Sequence, residues 1–315
     1  MSAKQKNKPN ELYITRVFDA PVKVVWEAWA DPEQKAHWWG PRGFTITTHS
    51  SDFRTGGAWN YTMHGPDGVD YPNTTKYLEV EKYSRMVYDH GGHEDRPPMF
   101  RVTVSFTETK GKTLMEMTMA LPTEEAAKEA KKFIKKAGGD STWDRLAEYV
   151  APSERFVINR SFEAPRDLVF KMWTDPRHFA QWLPPAGMTM ELIKAEIKAG
   201  GTSFFAMTGG GMKMFGKIAY KEITPTTRLV YTQIFCDEKG NISRHPKAPT
   251  WPETMLTTIT FSDEDPDRTR VTVCWEIYGE ATAAERECFL KERGGMTQGW
   301  TGSFDKLEEL LKSGG

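Results

Sequence analysis

The chain has 315 residues, 42 lysines and arginines against 43 acidic residues, and a net charge of -1, with both signs interspersed along its whole length. That balance excludes the basic footprint of a nucleic-acid binder. A mean hydropathy of -0.59, with no long apolar run, excludes a membrane-spanning helix and leaves a globular protein long enough for two domains.

The first ten residues are polar and lysine-rich, which predicts a short disordered arm and neither a signal peptide nor an anchor. From Leu12 to Phe18 apolar and polar residues alternate, as in a half-buried strand. Pro21 then sits where a helix's first turn accepts proline, and Val25, Trp26 and Trp29 recur at helical spacing up to Asp31-Pro32. A second short helix ends near Trp38, and Trp38-Trp39-Gly40-Pro41 must turn sharply into sheet. Between Phe44 and Met119 the pattern is an antiparallel meander, parted by Gly65-Pro66-Asp67-Gly68, Gly91-Gly92 and Lys110-Gly111-Lys112. Thr123 caps a helix that runs through Phe133, breaks at Gly138-Gly139 and resumes from Trp143 to Val150.

The same order then recurs. A shift of 144 places lays Ile14–Phe44 over Ile158–Met188, and roughly thirteen of thirty-one positions coincide, which marks a duplication of a whole domain. Arg16 meets Arg160, Ala20-Pro21 meets Ala164-Pro165, Trp29 meets Trp173, Asp31-Pro32 meets Asp175-Pro176, and Trp38 meets Trp182. Gly56-Gly57 matches Gly200-Gly201, and Trp143-Asp144-Arg145-Leu146 matches Phe304-Asp305-Lys306-Leu307. The expected boundaries are domain 1 over 11–150, a linker at 151–153, and domain 2 over 154–315, with a helix break at Gly294-Gly295 and a terminal helix from Trp300 to Leu311. One strand, two short helices, a meander and a long last helix make each copy an α+β unit. Cys236, Cys274 and Cys288 are odd in number and without close spacing, which fits free thiols in a reducing cytoplasm.

Strand alternation puts Trp59, Tyr61 and Met63 on one face, with Ser203, Phe205 and Met207 as their equivalents in domain 2. Further aromatic and methionine positions in strand patterns include Tyr88, Met117, Tyr231 and Trp275, and Trp38 and Trp182 close the second short helices. Such side chains serve either as plain core or as the wall of an apolar pocket.

The order Ala20-Pro21, Val25, Trp29, Asp31-Pro32, Trp38-Trp39-Gly40-Pro41 and Gly56-Gly57, with the ending Trp143-Asp144-Arg145-Leu146-Ala147-Glu148-Tyr149, resembles the Hsp90-ATPase-activator-homologue family of the START-like (SRPBCC) superfamily. The resemblance covers nearly the whole chain twice. It implies two helix-grip domains, each a curved antiparallel sheet wrapped on a long C-terminal helix with a cavity between them. It implies non-catalytic binding or transport of a small hydrophobic or amphipathic ligand, with Trp38, Trp59, Tyr61, Met63, Tyr88, Met117, Trp182, Phe205, Met207, Tyr231 and Trp275 as the wall, and no cofactor, metal or nucleic acid. A chaperone partner, and a START-like cyclase or hydrolase activity, are the rival readings. Domain 2 departs at Leu183-Pro184, at Ser203 and in a proline-rich insertion from Cys236 to Pro252 that is either a cover for the pocket or a variable surface loop.

Catalytic motifs are weak. His90-Gly91-Gly92-His93 with Glu94 and Asp95 has metal-ligand types but loop glycines and no counterpart in domain 2. His49 with Asp52, and His64 with Asp67, lack a nucleophile and read as solvated polars, while Gly209-Gly210-Gly211 reads as a turn.

Overall fold

Alternation of apolar residues makes most of this protein sheet. A computed structural model describes residues 8–93, 96–137 and 140–313. The chain divides into two units, Met1–Pro152 and Ser153–Gly315. Most of the N-terminal arm, the Gly138-Gly139 break, and Glu94 and Asp95 lie outside the described residues.

Domain 1 comprises β1 (Glu11–Phe18), α1 (Val22–Ala30), α2 (Pro32–Trp38), β2 (Thr45–Ser51), β3 (Ala58–His64), β4 (Asp70–Glu81), β5 (Arg85–Gly92), β6 (Phe100–Thr109), β7 (Lys112–Ala120), α3 (Glu124–Ala137) and α4 (Asp140–Tyr149). Domain 2 repeats the order with β8 (Arg155–Phe162), α5 (Arg166–Thr174), α6 (Pro176–Trp182), β9 (Met188–Ala195), β10 (Thr202–Gly209), β11 (Met212–Thr224), β12 (Arg228–Cys236), β13 (Thr254–Asp265), β14 (Arg268–Ile277), α7 (Ala283–Lys291) and α8 (Arg293–Lys312). Each forms a seven-stranded antiparallel sheet in which the first strand pairs with the last, giving the orders β1-β7-β6-β5-β4-β3-β2 and β8-β14-β13-β12-β11-β10-β9. Among the described residues, no helix is long and apolar enough to cross a membrane.

The repeated motifs have physical jobs. Asp31 and Asp175 cap α2 and α6 by accepting the backbone N–H of Glu33 and Arg177, each with proline at the first helical position. The indoles of Trp38 and Trp182 donate to the carbonyls of Ala28 and Met172, which fixes the angle between each pair of short helices. Buried Thr113 and Thr269 donate to the carbonyls of Ala20 and Ala164 and so tie each Ala-Pro corner to its last strand. At Gly57 a β-carbon would lie 2.1 Å from the Asp52 carbonyl, and at Gly201 2.2 Å from that of Glu196. Only glycine allows that approach, and it places Tyr77 and Tyr220, whose N–H groups donate to Gly57 and Gly201.

Two expected breaks fall elsewhere. Gly91 and Gly92 are the last residues of β5, not a turn, because the Gly91 φ of +81° kinks the strand beside a register shift with β4. The break between α7 and α8 lies at Glu292, and Gly294-Gly295 sit in the first turn of α8, held there by burial of Met296, Trp300, Phe304 and Leu307 along one helix stripe.

Candidate functional site

The sheet and helices of domain 1 enclose an aromatic interior with a few polar tips. Trp59 and Tyr61 on β3 stack with centroids 3.7 Å apart, and Trp39, just past α2, meets Trp59 edge-on at 5.3 Å and donates its indole N–H to the Tyr61 hydroxyl at 3.3 Å. Tyr88 on β5 lies 6.3 Å from Tyr77 and 6.4 Å from Trp29, and Trp143 of α4 stacks on Trp29 at 5.8 Å. Burial pushes the phenols of Tyr61, Tyr77 and Tyr88 well above the ordinary tyrosine range, so all three stay protonated donors.

Lys35 is the unexpected member. It sits on α2 at 1% exposure, donates from Nζ to the Tyr77 hydroxyl at 3.0 Å, and lies 3.9 Å from the centroid of the Trp59 ring, with Phe53 and Tyr77 at 5.7 Å. Loss of hydration disfavours the ammonium and lowers the group to about 7, against the opposing pull of Asp31. The other end of the interior is bounded by His90, which is half-buried overall, stacks on Phe100 at 4.9 Å and faces Trp39 at 6.1 Å. Burial of its imidazole, with Arg96 acting the same way, holds it down to about 4.

A guanidinium locks this arrangement from outside. Arg145 of α4 donates from Nη1 to the carbonyls of Trp39, Gly40 and Pro41 and from Nη2 to that of His37, so it closes α2 and fixes the turn that carries Trp39. Arg42 beside it forms a two-pronged pair with Glu148.

Domain 2 has the same scaffold with a different interior. The positions of Lys35 and Trp59 hold Phe179 and Ser203, both buried, and the Ser203 hydroxyl satisfies Tyr220 at 3.1 Å. Lys306 takes the place of Arg145 and reaches the Pro184 carbonyl. Trp300, one turn before the aligned Phe304, supplies the ring that stacks on Trp173.

Of the expected wall, Trp59, Tyr61 and Tyr88 line the domain 1 interior, and Met117 is buried in the same cluster. Trp38 is fully buried against α1, and Met63 is half-buried over the Gly40 turn. In domain 2, Trp182 and Tyr231 are core, Phe205 lays its ring over Gly216, Met207 pairs across the sheet with Met190 and Met214, and Trp275 contacts Phe156, Trp251 and Trp300. The side chains therefore meet one another across both interiors. A cleft of about 500 Å³ opens instead at the strand ends of domain 2, with Phe215, Phe235, Asp237, Lys239 and Arg244 among its walls and nothing from α7 or α8.

The Cys236–Pro252 insertion is anchored. Trp251 packs at 5.9 Å from Phe289 of α7, and Arg244 donates to the Trp251 carbonyl and pairs with Glu285 at 2.8 Å. The three cysteines are free thiols. His49 and His64 bond to Thr62 and Thr47 on the other face of the sheet, with Asp70 and not Asp67 as the carboxylate at His64. Among the described residues, no three histidine, cysteine or acidic groups converge as a metal site.

The profile of the activator of Hsp90 ATPase homolog 1-like family (AHSA1) matches residues 19–151 and again 163–312. The chain belongs to that family. AHSA1-like domains thus occur in it twice, each with the α+β helix-grip fold. No curated protein matches the chain. Solved structures similar to it include a protein from Arthrobacter aurescens, 26% identical over 45% of this chain and 86% of its own, with a TM-score of 0.42. A protein from Staphylococcus epidermidis is 25% identical over 47% and 93%, at 0.42. An AHSA1 protein from Silicibacter pomeroyi is 16% identical over 51% and 99%, at 0.40.

Sequence reasoning missed Lys35, His90 as an interior group, and Arg145 as a clamp. The repeat carried the signal for the first: at the offset of 144, Lys35 falls opposite Phe179, a charged residue against an apolar one in helices that share Pro32 with Pro176, Ala36 with Ala180 and Trp38 with Trp182.

Proposed function

We propose that this protein binds a small amphipathic molecule inside domain 1, with a mostly apolar body against Trp39, Trp59 and Tyr61 and a polar end toward Lys35 and Tyr77. The observation that carries the reading is the desolvated amine of Lys35. A buried ammonium held only by a neutral hydroxyl and ring faces costs several kcal/mol, of order the penalty for any buried charge, and Phe179 in domain 2 fills the same place without it. The fold therefore does not need the amine, whereas a ligand's polar group would use it. Because the interior rings meet one another in this structure, binding requires the half-buried Met63, His90 and Phe100 to move aside and the Trp59 and Tyr61 rings to part. Domain 2, with its insertion fastened over α7, is the stabilising copy.

Titration of the whole chain with anilinonaphthalene sulfonate tests this. Tyr61→Ala weakens binding about tenfold, a loss of about 1.4 kcal/mol, and Phe205→Ala leaves it unchanged. Equal affinities in parent and both variants contradict the reading.

The family description supports a second role, activation of a chaperone ATPase. Chaperone ATPase rates measured with and without this protein decide it, since no change in rate removes that role and leaves ligand binding untouched.

A further inference from the structure

The interior amine has the surroundings of a reactive nucleophile more than those of a structural cation. Lys35 Nζ rests against the face of Trp59 at 3.9 Å and the hydroxyl of Tyr77 at 3.0 Å. Asp31, the carboxylate whose charge acts on it, accepts from the Glu33 backbone and from the Gln34 amide instead. An ammonium stripped of its water, with only ring faces and a neutral hydroxyl around it, gives up its proton more readily than an exposed one, and the free amine so produced carries a lone pair into a dry aromatic site. Domain 2 supplies the internal contrast, because Phe179 and the Ser203–Tyr220 pair keep the scaffold intact with no amine in that place.

We propose that Lys35 forms a reversible imine with a small apolar aldehyde or ketone admitted to the interior of domain 1. The inference rests on the ligand reading above and adds the chemical class of the ligand. The Lys35 lone pair attacks the carbonyl carbon to form the C–N bond, the C=O π pair moves to oxygen, and one proton passes from nitrogen to that oxygen, giving a carbinolamine. The C–O bond then breaks as the nitrogen lone pair closes the C=N bond, and water leaves. Amine and carbonyl become imine and water, with no oxidant or reductant. The Tyr77 hydroxyl, within hydrogen-bond reach of Nζ, is placed to relay a proton from nitrogen to the departing oxygen, giving one proton as it takes up the other so that no buried phenolate forms. The aromatic wall excludes the water that would reverse the reaction.

The full chain treated with octanal and cyanoborohydride at neutral pH tests the assignment, with modified lysines mapped by peptide mass. Lys35 is alkylated at least about tenfold faster than the exposed lysines, whose amines are almost wholly protonated at that pH. Lys35→Met removes this adduct alone. Tyr77→Phe slows it by roughly a hundredfold, as expected for loss of the hydroxyl that moves the proton. Labelling spread over surface lysines with none at Lys35, while octanol still displaces the dye, overturns the imine and spares the ligand reading. If neither octanol nor octanal displaces the dye, both fall together.

Discussion

Replacing Lys35 with methionine removes an ionisable group from the interior at nearly constant volume, and its effect on stability depends on pH in a way that only a buried lysine produces. The folded-state value is about 7 against an ordinary 10.5. The unfolded chain thus binds more protons between those two values, and stability rises with pH across that window. Below pH 7 both states are charged and the fold carries the full penalty, whereas above about 10.5 both are neutral and the penalty is gone. With these two values the cost is about 4 kcal/mol at pH 7 and about 2 kcal/mol at pH 9. Attraction of the ammonium to the Trp59 face raises the folded-state value and so lowers this cost by up to about 2 kcal/mol. Lys35→Met should therefore stabilise the chain by roughly 2–4 kcal/mol at pH 7, with the gain shrinking toward pH 10. Urea unfolding followed by tryptophan fluorescence at several pH values measures it, with parent and variant compared in the same transition because a two-domain chain need not unfold in one step. A difference that stays constant from pH 6 to pH 10 would show that Lys35 keeps an ordinary affinity for protons, and the account of the interior would be wrong.

Other outcomes follow from the same geometry. Arg145→Ala leaves the carbonyls of His37, Trp39 and Gly40 without the guanidinium that serves them, while that of Pro41 keeps the Phe44 N–H, and lowers stability by about 2–4 kcal/mol in thermal unfolding; Arg145→Lys, which imitates Lys306 of domain 2, recovers part of it. Gly57→Ala forces a β-carbon onto the Asp52 carbonyl at 2.1 Å and displaces Tyr77, so it costs at least about 2 kcal/mol, and the equivalent Gly201→Ala does the same to domain 2. Trp251→Ala releases the insertion from Phe289, which limited proteolysis detects as faster cleavage between Asp237 and Pro252.

Much of this fold was legible because each repeated motif solves a local problem. Asp-Pro starts a helix, Ala-Pro turns a corner under a buried threonine, and Gly-Gly lets two backbones touch, all within a few residues of the motif itself. The site was less legible because its members come together only in the folded domain. A lysine between Gln34 and Ala36 on a short helix reads as solvated, and nothing local brings Phe53, Trp59 and Tyr77 around it. Arg145 likewise reads as one more surface cation, since the carbonyls it serves lie about a hundred residues earlier in the chain. Trp300 does from one helical turn away what Trp143 does in domain 1, a substitution of function that aligned letters conceal.

The measurement that bears most directly on domain 1 as the ligand-binding copy is nuclear magnetic resonance of the tryptophan indole N–H groups during an octanol titration. Saturable shifts of the Trp39 and Trp59 signals, with those of Trp275 and Trp300 still, are the expected result. Signals that do not move at all, or that move equally in both domains, would contradict it.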